Sequence, residues 1–346
     1  MRYTLLGRSG LRVSELCLGT MTFGEDWGWG ASKEVSRAIF ERFVEAGGNF
    51  IDTSINYTNG TSENFVGDFT SAERDRYVIA TKYTLTSTEN SDPNVGGNHR
   101  KNMRRSVEQS LRNLRSDYID LLYLHVWDHT TPVDEVLRGL DDLVSQGKVN
   151  YLAISDTPAW VVAEANMLAE LRGWARLIAL QVPYSLLGRD IERAELLMAK
   201  RWEMTVLPWG ILSAGLLTGK YASKNAEPKR LNVQSLTPHQ QQVIDAVQAI
   251  AEESGRSPSQ VAINWVRQQH ARAEIIPILG ARSLAQLEDN LACLEWTLSE
   301  EQMQRLDAAS RIEYGFPRSF TEGHARQFIF GQTFSQIDHP RGWPAH

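Results

Sequence analysis

Asp52, Tyr57, Lys82 and His125 stand immediately downstream of short apolar runs: Asn49-Phe50-Ile51, Tyr77-Val78-Ile79-Ala80-Thr81 and Ile119-Asp120-Leu121-Leu122-Tyr123-Leu124. A carboxylate, a phenol, an ammonium and an imidazole in one pocket can deliver a proton to an oxygen that is gaining negative charge. A lysine desolvated in such a place needs a carboxylate partner to stay charged, and Asp52 is the obvious one. A phenol with an ordinary pKa of about 10 donates poorly at neutral pH. A nearby ammonium stabilises the phenolate and is expected to lower that pKa, which makes Tyr57 a general acid. His125 is expected to hydrogen-bond a substrate oxygen and orient it toward Tyr57, as the reduction of a carbonyl would use. Taken singly, each residue is weak evidence, because a lone Asp after a strand usually caps something and a lone Tyr or His usually packs or meets solvent. Their shared strand-end position is what carries the inference.

Residues so far apart meet only if the strands are parallel and their C-terminal ends converge. Short apolar runs alternate with helical patterns from about residue 15 to residue 295, the signature of repeated strand-helix units. The runs are Glu15 to Leu18, Asn49 to Ile51, Tyr77 to Thr81, Ile119 to Leu124, Val149 to Ile154, Leu177 to Leu180, Met204 to Leu207 and Glu274 to Ile276. This predicts an α/β fold, a (β/α)8 TIM barrel whose strand ends form one mouth. Val133, Val136, Leu137, Leu140, Leu143 and Val144 form an amphipathic helical stripe, with Thr131 as expected cap, Pro132 at the first position and Gly147 as the stop. The same Thr/Ser-Pro opening recurs at Thr157-Pro158, Thr237-Pro238 and Ser257-Pro258, and Ser299 with Gln302 forms a capping box. Tyr3-Thr4-Leu5 and Leu11-Arg12-Val13, flanking Arg8-Ser9-Gly10, read as an N-terminal β-hairpin plug for the barrel's bottom. Residues 84–99 and 210–236 are long connections where barrels place functional loops. The aromatic, irregular tail from about residue 311 is placed near the mouth.

The chain of 346 residues carries 42% apolar side chains, ample for a core, and shows no internal boundary, so residues 1–346 read as one barrel domain. No apolar stretch approaches the roughly 18 residues of a membrane span. The start, Met1-Arg2-Tyr3-Thr4-Leu5-Leu6-Gly7-Arg8, has no sustained apolar segment and no cleavage site, so a cytoplasmic location is expected. Cys17 and Cys293 read as small buried hydrophobes in a reducing compartment. A net charge of −6 argues against a nucleic-acid partner. The basic stretch His99-Arg100-Lys101 with Arg104, Arg105, Arg112 and Arg115 lacks stacking aromatics and reads as a solvated helix face. Nothing in the sequence fixes an oligomeric state.

Hydride chemistry would need a cofactor, yet no Gly-x-Gly-x-x-Gly turn is present. Gly215-Leu-Leu-Thr-Gly219-Lys220-Tyr221 echoes a phosphate loop but has one residue too few between the glycines and Tyr where Ser or Thr should bind magnesium. His125, Asp128 and His129 could suggest zinc, but metal-dependent barrels draw ligands from several strands, so no metal is expected.

Gly48-Asn49-Phe50-Ile51-Asp52-Thr53-Ser54-Ile55-Asn56-Tyr57, Ala80-Thr81-Lys82 and Leu122-Tyr123-Leu124-His125 resemble three signature stretches of the aldo-keto reductase superfamily. Ile276-Pro277-Ile278-Leu279-Gly280-Ala281-Arg282-Ser283, followed by Gln286-Leu287-Glu288-Asp289-Asn290, is similar to that family's adenosine-phosphate segment. The likeness runs from about Tyr3 to Asn290. Gly97-Asn98-His99 and His125-Val126-Trp127-Asp128 resemble its aryl-alcohol dehydrogenase-like branch. The resemblance implies NADPH held across the barrel mouth and a small-molecule carbonyl substrate, with Tyr57 as acid, Lys82 and Asp52 tuning it and His125 orienting substrate. It further implies Gly19, Thr20, Met21 and Asp52 along the cofactor, and Ser155, Asp156 and Gln181 on the carboxamide. Trp209 would stack on the nicotinamide, with Gly210, Leu212, Gly215, Lys220 and Arg230 over the pyrophosphate. Gly280, Arg282, Gln286 and Asn290 would take the adenosine end, where Arg282 suits a 2′-phosphate.

Two departures bear on the cofactor. Asp156 stands where the family usually has Asn, and an ionised Asp can accept from a carboxamide but not donate to it. Trp209-Gly210-Ile211-Leu212 replaces the usual Trp-Ser-Pro-Leu, which removes a hydroxyl and loosens the backbone, so a weaker hold on the cofactor is expected. Trp27, Trp29, Trp127 and Tyr184, near strand ends, suggest an aromatic-lined substrate pocket, with Trp27 and Trp127 contacting substrate, while tryptophans this frequent read equally well as packing. A different reading of the same features is a catalytically weak, NADP-binding sensor or regulatory subunit, since some members of the family regulate channels through a retained cofactor site.

Overall fold

The computed structural model describes residues 1–86, 90–219, 236–323 and 325–337. The apolar runs form parallel strands: β3 (Cys17–Gly19), β4 (Phe50–Asp52), β5 (Val78–Tyr83), β6 (Ile119–Leu124), β7 (Val149–Ser155), β8 (Leu177–Pro183), β9 (Thr205–Trp209) and β10 (Ile278–Gly280). They make one eight-stranded sheet in the order β10-β3-β4-β5-β6-β7-β8-β9, parallel at each pairing. The helices α1 (Lys33–Glu45), α2 (Thr61–Thr70), α3 (Arg100–Leu114), α4 (Val133–Ser145), α5 (Ala159–Arg172), α6 (Glu195–Arg201), α7 (Pro238–Ser254), α8 (Pro258–Arg267) and α9 (Leu284–Leu291) lie between and after them. This is the expected (β/α)8 barrel.

The last strand differs from its expected place. It forms at 278–280, beside β3, whereas Glu274 to Ile276 bonds to β9: Val206 N–H donates to Glu274 O at 2.8 Å and Ile276 N–H to Val206 O at 2.9 Å. One segment therefore serves two neighbours in succession. Pro277 sits at the hand-over with no N–H to give, and its carbonyl accepts Cys17 N–H at 2.9 Å. Those bonds bring the two edges of the sheet together.

Two apolar cores follow from strand alternation, because successive side chains point to opposite faces. One parity of residues packs against the helices. The other parity, including Phe50, Val78, Ala80, Leu121, Tyr123, Ala153, Ala179 and Leu207, fills the barrel interior. The plug joins this second core. Strands β1 (Tyr3–Leu5) and β2 (Arg12–Ser14) pair antiparallel, and Leu6 and Val13 are buried among the interior residues. Gly7 lets the plug approach so closely: a Cβ there would sit 2.1 Å from Ile178 O.

The amphipathic stripe of α4 turns Val136, Leu137, Leu140 and Leu143 inward. The expected caps hold at Thr237, Ser257 and Ser299, each accepting a first-turn backbone N–H. They do not hold at Thr131 and Thr157. There the helix begins one residue later, after Pro132 and Pro158, and the hydroxyls donate elsewhere, to Asp128 Oδ2 and to Ser155 O. The basic residues Arg104, Arg105 and Arg112 of α3 face solvent. Beyond α9, α10 (Glu300–Ala309) leads into a tail with α11 (Arg318–Glu322) and α12 (Ala325–Phe330). The tail is anchored on the loop after β8, at the mouth end of that strand, where Arg193 Nε donates to Glu313 O at 3.1 Å. Among the described residues no helix is long and apolar enough to cross a membrane.

Candidate active site

The interior parity carries the site. Continuing Phe50, Val78-Ala80, Leu121-Tyr123, Ala153 and Ala179 by two residues along their strands reaches Asp52, Lys82, His125, Ser155 and Gln181. Polar side chains thus replace apolar ones at the top layer of these strands, and the apolar interior below forms their floor. Three acceptors converge on the Lys82 ammonium. Lys82 Nζ donates to Asp52 Oδ2 at 2.6 Å, to Thr53 O at 2.7 Å and to Tyr57 Oη at 3.0 Å. Gln181 Nε2 holds the other carboxylate oxygen, Asp52 Oδ1, at 2.8 Å.

Tyr57 comes from a turn, not a strand. Residues Tyr57–Gly60 form a short 3₁₀ segment in which Thr58 and Asn59 have φ of 44° and 55°, a left-handed conformation that costs non-glycine residues energy. Thr58 Oγ1 supports it by donating to Phe23 O at 2.6 Å and accepting Ser62 N–H at 3.1 Å. The same contact pins the loop after β3 to this turn. That loop brings Trp27 to Tyr57, ring centroids 6.5 Å apart, and Trp29 to Trp27 at 5.7 Å. His125 meets Tyr57 edge-on at 5.9 Å, and its Nδ1 lies 3.3 Å from Ser54 Oγ.

Electrostatics assign the protons. Burial alone would lower the Lys82 pKa, but the Asp52 carboxylate and the Tyr57 phenol reverse this and it ends above its ordinary value. Tyr57 corrects the expectation from sequence. Burial raises its pKa and outweighs the opposing charge and hydrogen bond of Lys82, so the phenol ends above, not below, its usual value. Burial first and Lys82 second push His125 well below the usual imidazole value. At neutral pH the site therefore holds a charged Lys82, a protonated phenol and a neutral imidazole. Because Tyr57 Oη accepts from Lys82, its own proton is left to donate outward.

Around this centre the other expected residues fall into three groups. Ser155 Oγ is buried and has no hydrogen-bond partner among the described residues, an open valence beside the tetrad. Asp156 has φ of 41° and accepts Trp209 Nε1–H at 3.2 Å; burial raises its pKa and that bond opposes the rise. Trp209 keeps an exposed face. Gly210 has φ of 69°, where the usual serine would be strained, so glycine here follows from the backbone. Leu212 and Gly215 follow in a tight turn, Gly215 N–H donating to Leu212 O at 2.9 Å; Lys220 and Arg230 lie outside the described residues.

Beyond the β9 edge, where the barrel closes, Gly280 ends β10, Arg282 is exposed just before α9, Gln286 Oε1 accepts Arg282 N–H at 2.9 Å, and Asn290 is buried with its amide 3.4 Å from Gly280 O. Gly19 pairs with Asp52 across the β3–β4 ladder, and Met21 is half-buried. Thr20 spends both its N–H and its hydroxyl on Asp52 O, each at 2.9 Å, so neither is left for a ligand.

Two aromatic residues expected at the pocket are elsewhere. Trp127 is buried in the core between sheet and helices with Leu124, Val136 and Leu140. Tyr184 is buried against Trp265, and its hydroxyl donates to Glu192 Oε1 at 2.6 Å. A strand-end position fixes height in the barrel but not which way a loop residue turns. Sequence reasoning also missed Ser54 and the Thr53 carbonyl, whose roles come from contacts that spacing does not encode. Among the described residues no group of three or more His, Cys, Asp or Glu could hold a metal ion.

The model of the Aldo/keto reductase family matches residues 15–311. The chain is 37% identical over 329 residues to norsolorinic acid reductase of Aspergillus flavus, an alignment covering 91% of this chain and 82% of that protein. It is 38% identical over 330 residues to aryl-alcohol dehydrogenase [NADP(+)] of Phanerodontia chrysosporium, covering 89% of this chain and 85% of that one. A norsolorinic acid reductase B of Dothistroma septosporum is 37% identical over 327 residues, covering 90% and 82%.

Proposed function

The chain belongs to the aldo/keto reductase family and is an oxidoreductase, and from that premise we propose that it uses NADPH to reduce an aldehyde or ketone reversibly, with Tyr57 as the proton donor. One observation carries this reading: a buried lysine bridges a carboxylate and a phenol, at 2.6 and 3.0 Å, beneath an imidazole. NADPH would supply the hydride. The residues present fit it: the unpartnered Ser155 Oγ and Asp156 suit a carboxamide, the exposed face of Trp209 suits a flat ring, and Arg282 before α9 suits a phosphate. Gln181, already bonded to Asp52, ties that edge of the cofactor site to the tetrad.

In carbonyl reduction the developing alkoxide takes the proton of Tyr57. Lys82 stabilises the phenolate that remains, and Asp52 keeps the ammonium charged while it does so. The neutral His125 holds the oxygen without competing for the proton. Trp27 beside Tyr57 and Trp29 against Trp27, together with relatives named for an aryl alcohol and for norsolorinic acid, favour an aromatic substrate. Both cysteines are buried and unpaired, which supports a reducing, cytoplasmic setting.

The test follows NADPH absorbance with a panel of aromatic and aliphatic aldehydes. Wild type is expected to turn over the aromatic ones, and Tyr57→Phe to lose roughly 10²–10⁴-fold in kcat while still binding NADPH. Binding without turnover in wild type would instead support the sensor reading, and no binding would defeat both.

A further inference from the structure

A neutral imidazole donates from one ring nitrogen only. Which nitrogen of His125 carries the proton decides whether the ring offers a substrate a donor or a lone pair. Nδ1 lies 3.3 Å from Ser54 Oγ, and Ser54 Oγ lies 2.7 Å from Asn56 Oδ1. Ser54 is fully buried, so no water competes for its hydroxyl. The relay belongs to the turn that aims the phenol, because Tyr57 N–H donates to Ser54 O at 3.1 Å and Asn59 N–H to Asn56 O at 3.3 Å.

This chain of three groups has two self-consistent directions. If Asn56 accepts through Oδ1, Ser54 spends its single proton there and must accept from Nδ1–H, which leaves Nε2 bare. If the amide is rotated by half a turn, Nδ2 donates to Ser54, Ser54 donates to Nδ1, and the proton sits on Nε2. The heavy-atom positions are the same in both.

We propose that Ser54 and Asn56 are positioning residues that hold His125 as its Nε2–H tautomer, so that a neutral donor meets the substrate's carbonyl oxygen beside Tyr57. The choice of direction rests on the carbonyl-reduction reading, because a carbonyl oxygen only accepts and a bare Nε2 would oppose lone pair to lone pair. A charged imidazolium would also donate, but it would lie close to the Lys82 ammonium in a desolvated pocket, which both the burial and the charge oppose. The relay therefore supplies a donor without adding a charge.

The test records long-range proton–nitrogen correlation spectra of the full chain labelled with ¹⁵N-histidine, with the His125 signals assigned through His125→Asn. Wild type is expected to show the Nε2–H pattern. Asn56→Asp carries a carboxylate that can only accept, so it reverses the relay and shifts His125 to the Nδ1–H pattern. It is also expected to lower kcat about tenfold while the NADPH Kd moves by less than about twofold. Ser54→Ala removes the link and leaves a mixture; should that buried substitution fail to fold, the half-exposed Asn56 position still carries the test. An Nδ1–H pattern in wild type, or an unchanged pattern in Asn56→Asp, overturns the proposal. The spectrum needs no turnover, so an inactive wild type would sink the reductase reading and leave the relay to be judged on its own.

Discussion

Lys82 and Glu192 are both charged, both buried and both held by several partners, yet the partners differ in kind. Around Lys82, two of the three acceptors are fixed parts of the barrel, and the third is a phenol that keeps its own proton to give away. Around Glu192, both carboxylate oxygens are taken. Oε1 accepts Tyr184 Oη at 2.6 Å and Arg189 Nε at 2.7 Å, while Oε2 accepts Arg189 Nη2 at 3.1 Å, Tyr314 Oη at 3.2 Å and Arg272 Nη1 at 3.0 Å. Arg189 in turn reaches Ser310 Oγ at 2.7 Å and Asp307 Oδ1 at 2.9 Å. The second cluster ties the loop after β8 to α10 and the tail and has no valence to spare. Buried charge alone does not mark a catalytic site; buried charge with one donor left over does.

Breaking each cluster should separate the two roles. Lys82→Met is expected to cost kcat roughly 10²–10⁴-fold, because the phenolate loses its cation. It should also lower stability by about 3–5 kcal/mol, since Asp52 is left buried without its counter-charge. Aldehyde-dependent NADPH oxidation and urea denaturation measure the two effects. A variant that unfolds no earlier but has lost turnover would show that Asp52 finds another partner.

Glu192→Gln should cost stability on a comparable scale, about 3 kcal/mol, with kcat near that of wild type. Burial raises the Glu192 carboxyl pKa, but Arg189 and Arg272 outweigh it and hold the group below the ordinary value of 4.5. Its contribution is therefore fully present above that value and is lost as pH falls through the depressed folded-state pKa. The gap in denaturation midpoint between wild type and Glu192→Gln should be widest near neutral pH and narrow in acid. A constant gap would mean that the Glu192 charge contributes no stability, and a parallel loss of kcat would place the tail network within the active site and erase the comparison.

The first cluster was legible and the second was not, for a physical reason. Asp52, Lys82 and His125 follow periodic strand runs, and parallel strands bring their ends together whatever the loops do. Glu192, Arg272 and Tyr314 lie in a loop, a turn and the tail, so nothing periodic relates them. Even among strands, Pro277 split the closing segment between two neighbours, a pairing that apolar content cannot show. At the helix starts, Thr131 and Thr157 looked like Thr237, yet nearby acceptors captured their hydroxyls. The sign of the Tyr57 shift was also beyond reach, because it depends on burial exceeding the pull of Lys82. Trp127 and Tyr184 share a strand-end height with the site but turn into the core.

Asp156 stands between the two kinds of region, bonded like a structural group to Trp209 and placed like a functional one beside Ser155. Its left-handed backbone, φ 41°, is one that Asp and Asn both tolerate, so Asp156→Asn should not disturb the fold. The amide oxygen would keep the Trp209 Nε1–H bond, and the emission of that indole should stay as in wild type. What changes is the added N–H₂ donor and the lost charge. If Asp156 faces the carboxamide as proposed, one hydrogen bond is gained, and the NADPH Kd measured by calorimetry should tighten about fivefold. A Kd that does not move would mean that Asp156 serves Trp209 alone, and would put it with Glu192 as a group whose bonds are all spent within the fold.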